Sequence, residues 1–364
     1  MAGLTLDPTR CVRALAKFSQ CTKCVDICPV DIVSIDNHLP SFNMSQCVGC
    51  GGCGSVCPTE SFTLDDFNPT NFFFDFVQAE DTLISCKKNV PCIAALSVEH
   101  LTSLAILKEG LVCDTGHCDG CEIAGKLRPQ IDANIEEANF ILEAIESAKS
   151  IETQDLAYVS EDLIVDNNRR GFFKNISVKN AAKVKHNFDR KVEIESDEEL
   201  RHEVFTQDIQ KLKQKILPDK RKILFTALKR TPRPSQYHVI KAEELSFTSM
   251  KNVNKDSCTM CQMCYRICPT AALSSDMKNS KIDFDPFLCV KCHLCHDVCE
   301  PDAITLSDTF DLKQFFEPEV KSLVKFTVRR CHECDNYFTY RGGDIICHRC
   351  ALEEEEAKEL WGIE

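Results

Sequence analysis

Cysteine limits what this chain can become more than any other residue. Its 364 residues include 25 Cys, and most stand in C-x2-C steps. Two Cys so spaced rarely reach unstrained disulfide geometry, but they suit a metal well. The count is odd, and Met1 to Leu6 runs straight into Asp7 and Arg10 without the charged-then-apolar order of a secretory leader. A secreted disulfide scaffold is therefore not expected, and the expected setting is reduced and cytoplasmic. No apolar run approaches the length needed to span a bilayer, so no membrane insertion is expected. With 43% hydrophobic residues, the chain can bury real cores, and its length points to several domains.

An internal repeat organises these thiols. The clean copy is Cys258-x2-Cys261-x2-Cys264-x3-Cys268-Pro269, followed by Cys289-x2-Cys292-x2-Cys295-x3-Cys299. Three thiolates on one tight loop can face three corners of a [4Fe–4S] cubane, and the fourth must come from elsewhere. In such double runs the last Cys of each ligates the other cluster. The expected sets are Cys258, Cys261, Cys264 with Cys299, and Cys289, Cys292, Cys295 with Cys268. Glu300 displaces the second proline to Pro301, which questions the turn there and not the ligation.

The amino-terminal copy has one intact run, Cys47-x2-Cys50-x2-Cys53-x3-Cys57-Pro58, and one broken run. The latter keeps Cys21, Cys24 and Cys28-Pro29 but has Phe18 where a first Cys belongs. Cys11 is the only upstream thiol and is read as the displaced ligand, reaching back across a helical stretch at 12–19. The sets are then Cys11, Cys21, Cys24 with Cys57, and Cys47, Cys50, Cys53 with Cys28. A three-iron cluster, or an empty site with Cys11 as a buried thiol, stands as the alternative. Gly49, Gly51, Gly52 and Gly54 would let backbone N–H groups approach cluster sulfurs.

Both copies, about residues 11–65 and 257–306, resemble the two-cluster bacterial ferredoxin family. That resemblance implies a β-α-β pseudo-repeat wrapped around two cubanes, between which electrons step singly.

Between the copies the pattern alternates strand and helix. Residues 72–77 and 82–85 read as strands, 94–107 as an amphipathic helix, 111–114 as a strand, 129–149 as a long helix with Pro129 near its start, and 156–159 as a further strand. Alternation of this kind implies an α/β unit with a parallel sheet, which binds ligands past the carboxyl ends of its strands. Cys86, Cys92, Cys118 and Cys121 fall at such places and could hold a [2Fe–2S] cluster, a [4Fe–4S] cluster or zinc. Cys113 reads as a small core residue, and His117 as an orienting or exposed side chain that could substitute as a ligand. The stretch distantly resembles the iron–sulfur linker subunit that joins hydrogenase or formate dehydrogenase to heterodisulfide reductase, which favours an iron–sulfur cluster over zinc.

The net charge of −13 is uneven: residues 165–235 carry +8, leaving −21 for the remainder. The acidic bulk argues against nucleic acid, which needs a basic footprint. The basic stretch contains Arg169, Arg170, Phe172 and Phe173, a twin-arginine pattern placed mid-chain without a following apolar region, so it is not an export signal. It reads as an amphipathic connector or as a docking element for an acidic partner. Ser196 to Glu199 form a capping box for a helix running to about Leu217. Pro218 opens another helix over 219–229, which Pro232 and Pro234 stop. Both helices read as packing elements without ligands. Taken together, the Cys11–Cys28 run, the Arg169–Phe173 element, the 218–230 helix and the Cys-rich tail resemble multi-cluster ferredoxin-like proteins found beside molybdopterin oxidoreductases and their chaperones. This implies association with such an enzyme or chaperone.

Cys331-x2-Cys334-x12-Cys347-x2-Cys350 has the spacing of a four-Cys zinc ribbon. Its strands are expected at 338–340 and 345–346 with a turn at Gly342-Gly343. A rubredoxin-like iron is less suited, because the segment is short for shielding one. Glu353 to Glu356 read as a solvated helix end.

The sequence thus predicts an α+β multidomain chain: ferredoxin-like domain 1–68, α/β domain 69–160, basic helical segment 161–250, second ferredoxin-like domain 251–312, and zinc ribbon with acidic tail 313–364. The expected cofactors are four [4Fe–4S] clusters, one further cluster in the middle domain and one Zn2+. No dinucleotide fingerprint, P-loop or nucleophile–base pair is present, so no catalytic residue is assigned. The expected role is a relay of single low-potential electrons between an oxidoreductase and its redox partner. An assembly factor for a molybdo- or iron–sulfur enzyme, and a cluster-based redox sensor, are the competing roles.

Overall fold

The structure, a computed structural model, describes residues 3–156 and 214–362. Arg169, Arg170, Phe172, Phe173 and the capping box at 196–199 lie outside the described residues.

In chain order, the amino-terminal unit comprises β1 (Leu4–Leu6), α1 (Val12–Leu15), α2 (Lys23–Asp26), β2 (Val33–Asp36), β3 (Leu39–Phe42), α3 (Gly52–Val56) and β4 (Phe62–Leu64). β1 pairs antiparallel with β4, bringing Leu4 opposite Leu64, while β2 and β3 form a hairpin. The helices between them are single turns carrying Cys. Helix α1 is shorter than the stretch read from sequence, because Ala16 turns extended at φ −146.

The middle unit adds α4 (Pro69–Gln78), β5 (Leu83–Ser85), α5 (Val98–Leu107), β6 (Leu111–Asp114), α6 (Ala124–Ala144) and β7 (Ile151–Gln154). The strands form a parallel sheet in the order β5-β6-β7. Several expectations are corrected here. Residues 72–77 are helical, not a strand. Asn68 caps α4 by accepting from the Asn71 N–H at 2.9 Å, and Pro69 occupies the first turn. A short run of Phe does not distinguish strand from buried helix by itself; the cap and proline decide it. Phe72 and Phe76, one turn apart, pack as a tilted pair with ring centroids 5.3 Å apart.

Helix α5 begins at Val98, not at residue 94. Ser97 and His100 form its capping box, and its polar residues Glu99, His100, Thr102 and Ser103 are buried along with the apolar ones. It is therefore a central helix rather than an amphipathic one. Helix α6 starts five residues ahead of Pro129 and ends before Glu146, whose φ of +57 breaks the helical path. The third strand is Ile151–Gln154. Leu156 instead donates its N–H to Asp114, and 157–159 lie outside the described residues.

Past the undescribed stretch come α7 (Asp219–Lys229), β8 (Val239–Lys241), β9 (Lys251–Val253), α8 (Met263–Ile267), β10 (Leu273–Ser274), β11 (Lys281–Phe284), α9 (Leu294–Asp297), β12 (Ile304–Leu306), β13 (Thr309–Asp311), α10 (Lys313–Phe316) and β14 (Lys321–Lys325). β9 pairs antiparallel with β12, and β10 with β11, as β1 does with β4 and β2 with β3. The carboxy-terminal unit thus repeats the amino-terminal design and extends it with β14 on β11 and the β8–β13 pair. One continuous core joins α4, α5, α6 and α7 to this second unit. α7 is held within it by Ile223, Leu224, Ala227 and Leu228, all nearly inaccessible.

The tail contains β15 (Val328–Arg330), β16 (Tyr337–Thr339) and the exposed α11 (His348–Trp361). Its hairpin differs from the one expected. β16 pairs backward with β15, so the first Cys pair forms the turn, while 345–346 are not a strand and Gly342-Gly343 are not the hairpin turn. The period-two pattern at 328–330 is too short to be legible next to two arginines.

Candidate iron–sulfur and metal sites

The cysteine loops are shaped by backbone before any ligand is considered. In three of the runs, the residue before the second Cys and the residue after it are left-handed: Gly49 and Gly51, Met260 and Gln262, Lys291 and His293. This conformation folds the loop tightly and turns N–H groups inward. Gln20 and Thr22, the equivalent residues of the broken run, do not share it; Thr22 has φ −124. After each crossing Cys, the third residue is left-handed in all four runs: Asp31, Glu60, Ala271 and Asp302. Glu300 therefore leaves the turn unchanged. Ser61 and Ala303 donate their N–H groups to Cys57 and Cys299, each at 3.3 Å.

The thiols crowd together in both units. Cys24 is pushed up to about 12 by burial, and then by Cys57, Cys21 and Cys11. Cys53 is raised by burial and then by Cys50, Cys24, Cys47 and Cys28. In the second unit, burial raises Cys258, as do Cys299 and Cys261. Burial also lifts Cys292 well above the ordinary thiol range, followed by Cys268, Cys289 and Cys295. A small cavity is lined by Cys268, Cys289, Cys292 and Cys295. Sulfurs this crowded repel one another as thiolates, and a bound cation removes that penalty.

The N–H two residues on opposes the rise that burial causes at Cys11, Cys21, Cys50, Cys258 and Cys292, from Arg13, Lys23, Gly52, Met260 and Leu294 respectively. Cys11 is raised by burial, with Cys57 and Cys21 adding to the rise. The donor sets therefore fit cubanes: soft sulfur ligands, all but Cys261 buried or half-buried, with N–H groups on Cys57 and Cys299.

In the middle unit, Cys86 follows β5 and Cys118 follows β6, both past carboxyl strand ends. Ser85 Oγ donates to Asp114 at 2.7 Å, and Asp114 accepts from Gly116 N at 3.1 Å, which fixes these strand ends beside each other. Cys86, Cys92, Cys118 and Cys121 line one cavity of about 290 Å3, together with His117 and Arg128. Burial pushes Cys92 up to about 12, followed by Cys50, Cys86 and Cys118. Arg128 stands against Cys118 and opposes the rise that burial causes there. Cys113 is fully buried in the core.

In the tail, the sulfurs of Cys331, Cys334, Cys347 and Cys350 lie within 4.8 Å of one another. Desolvation opposes ionisation of Cys331, but N–H groups of Cys334, Cys347 and Glu333 outweigh it and hold the thiol down to about 6. The segment is thus arranged to receive one metal ion.

Two buried cations escaped the sequence reading, which took α7 for a ligand-free packing helix. Lys220 donates to the carbonyls of Ser55 (2.9 Å) and Cys57 (2.7 Å), and the Asp219 and Lys220 N–H groups reach the Glu60 carboxylate. Arg221 donates to the carbonyls of Phe287 and Phe247, each at 2.7 Å, and lies 3.7 Å from Glu99. Burial alone would raise Glu99; Lys220 and Arg221 hold its carboxyl below the ordinary value. The available signal was the stripe at 223, 224, 227 and 228, which puts 220 and 221 one turn earlier on the same face.

Comparison with known proteins agrees with this geometry. Residues 17–61 match a family described as a 4Fe-4S dicluster domain, and residues 250–300 match a second family of the same description. Two such domains make the chain a multi-cluster, ferredoxin-like iron–sulfur protein. It is similar to hydrogenase-4 component A of Escherichia coli (strain K12), 31% identical over 96 residues, covering 26% of this chain and 47% of the relative. It is also similar to the 7Fe ferredoxin of Hydrogenibacillus schlegelii, 35% identical over 46 residues, covering 13% of this chain and 59% of that protein. A ferredoxin of Saccharopolyspora erythraea matches to the same extent, over 43% of its length. The chain spans about half the length of the curated relatives it matches. No solved structure matches it. Among the described residues, no helix is long and apolar enough to cross a membrane.

Proposed function

We propose that this protein is an electron relay that carries single low-potential electrons between a cytoplasmic oxidoreductase and its redox partner, with catalysis residing in the partners. The observation supporting this reading is the doubled unit, in which two small folds of one design each bring eight cysteines together, Cys57 near Cys24 and Cys299 near Cys258. In this reading Cys11, Cys21, Cys24 and Cys57 hold one [4Fe–4S] cluster, and Cys28, Cys47, Cys50 and Cys53 a second. Cys258, Cys261, Cys264 and Cys299 hold a third, and Cys268, Cys289, Cys292 and Cys295 the fourth. Cys86, Cys92, Cys118 and Cys121 hold a further cluster, and Cys331, Cys334, Cys347 and Cys350 hold zinc. Bound clusters supply one-electron chemistry at low potential.

The chain's own part is to exclude water, supply N–H donors to the sulfurs and place charges. Lys251, beside Cys295 and 3.0 Å from His296, is one such charge. The similarity to a hydrogenase component supports a place within a redox-enzyme complex; a molybdopterin enzyme or its chaperone is the partner class that the sequence resemblance favours. In domain terms, residues 1–68 and 251–312 are the two cluster units, 69–160 the α/β unit, 161–250 the basic segment and 313–364 the ribbon and tail.

Anaerobic iron, sulfide and zinc quantitation, with spectra taken during turnover of a co-purified enzyme, tests the proposal. About sixteen iron atoms in the ferredoxin-like sites, one zinc, and bleaching during turnover are expected. Colourless, iron-free protein, or clusters that stay oxidised throughout turnover, would sink it.

A further inference from the structure

The middle cysteine set is built directly onto the amino-terminal unit. Cys92 is followed by a tight turn at Ile93–Ala95, and that turn presses on the Cys50 loop. Ser55 Oγ donates to the Ala94 carbonyl at 2.5 Å. A Cβ placed on Gly51 would stand 2.7 Å from the Ala95 side chain, and one on Gly52 would stand 3.2 Å from Leu127. Cys50, Cys53, Cys92 and Cys118 pack against the same core. A zinc clip needed only to stabilise the middle sheet has no reason to be seated against a neighbouring thiolate loop.

The far side of the same unit makes a second junction. Val12 and Ala16, following Cys11, form an apolar cluster with Leu294 and Val298, against which Cys21 and Cys292 pack. Gln20 N–H donates to Asp297 at 3.0 Å. Within each unit the two sets adjoin through Cys24 and Cys53, and through Cys264 and Cys295.

From these four junctions we infer that the cysteine sets form one unbranched line, with the middle set (Cys86, Cys92, Cys118, Cys121) as its redox-active end member. The order is the middle set, the Cys28/47/50/53 set, the Cys11/21/24/57 set, the Cys268/289/292/295 set and the Cys258/261/264/299 set. The two ends carry exposed thiols, Cys121 and Cys261, whereas no cysteine of the three inner sets is exposed. A one-electron donor protein is oxidised at one end and a one-electron acceptor protein is reduced at the other. Clusters held by these sets would pass electrons singly, each losing one electron as its neighbour gains one. This inference rests on the relay reading and adds to it the order of the path and the role of the middle set.

The test compares the full chain with its Cys118→Ser, Cys121→Ser double variant, both isolated anaerobically and reduced with dithionite. The double variant is expected to lose about two to four iron atoms per chain and to keep its zinc. Electron paramagnetic resonance should show loss of the spin–spin broadening that the Cys28/47/50/53 set has in the full chain. Unchanged iron with one zinc lost overturns the inference, as does iron loss without any change in broadening. Should the double variant fail to fold, power saturation of the unmodified chain at stepped potentials decides the matter. The middle-set signal should relax as a coupled spin, and an isolated-spin signal overturns the inference. An unmodified chain with no dithionite-reducible clusters in its ferredoxin-like units is a separate result, which defeats the relay reading underneath.

Discussion

Three of the cysteine runs form their loops in one way and the fourth in another. Runs 47–53, 258–264 and 289–295 use paired left-handed residues around the central Cys, whether these are glycines, Met and Gln, or Lys and His. The run at 21–24 lacks both its first Cys and the left-handed pair, and in the proposed relay Cys11, at the start of α1 and near Cys21 and Cys57, stands in for the missing thiol. On that reading the loop's conformation and its first ligand go together. A run that need not deliver three sulfurs from one loop has no need of the strained backbone, and the released stretch between Cys11 and Cys21 serves instead as the junction with α9.

The largest expected effect bears directly on that contrast. Cys11→Ser should remove about one to four iron atoms from the first site, and oxidised samples should acquire a three-iron signal or lose the site's spectrum. Adding Phe18→Cys to restore the usual spacing should not rescue it. Phe18 is 60% exposed, and its loop lacks the turn that would aim a thiol inward. Rescue by Phe18→Cys would show that ligand spacing alone, without loop conformation, defines the site.

A second contrast lies along α7, where neighbouring cations serve different units. Arg221 is bonded to the carboxy-terminal unit and Lys220 to the amino-terminal one. Arg221→Met leaves Glu99 buried with one of its cations removed and two carbonyls without donors, so a loss of about 3–5 kcal/mol is expected in denaturant unfolding. Lys220→Met removes the other cation facing Glu99 and leaves the Ser55 and Cys57 carbonyls without that donor, so a loss of the same order, about 3–5 kcal/mol, is expected. Hydrogen exchange should separate them, with protection falling around Phe247 and Phe287 in the first variant and around Ser55–Cys57 in the second. The same pattern of lost protection in both would show that the helix acts as one rigid strut.

The ease with which these features can be read follows from how local they are. The Cys spacings, the crossing rule and the strand–helix alternation of the middle unit depend on neighbours in sequence, and the two cluster domains and the positions of Cys86 and Cys118 past strand ends follow from them. The helix at 69–78 was obscured because four Phe residues satisfy both strand and buried-helix patterns, and only Asn68-Pro69 separates the two. Lys220 and Arg221 were obscured for the opposite reason. Charged residues at a helix start ordinarily face water, and their acceptors come from residues 26 to more than 160 positions away. The tail hairpin was misplaced because its partner strand is three residues long and two of these are arginines.

The smallest effect separates glycine that is needed from glycine that is merely allowed. Gly51 and His293 occupy equivalent places, with φ of +76 and +60. At Gly51 the left-handed backbone combines with the 2.7 Å approach of Ala95. Gly51→Ala should therefore cost about 1–2 kcal/mol and push the Ile93–Ala95 turn outward. At His293 a side chain is already accommodated. His293→Gly relieves the backbone but frees the unfolded chain, and the two terms nearly cancel, leaving a change below about 0.5 kcal/mol. Matched unfolding curves measure both. If Gly51→Ala proved as neutral as His293→Gly, the amino-terminal loop would not be packed against the middle unit as closely as Ser55 and Ala94 require, and the contrast between the two loops would rest on backbone conformation alone.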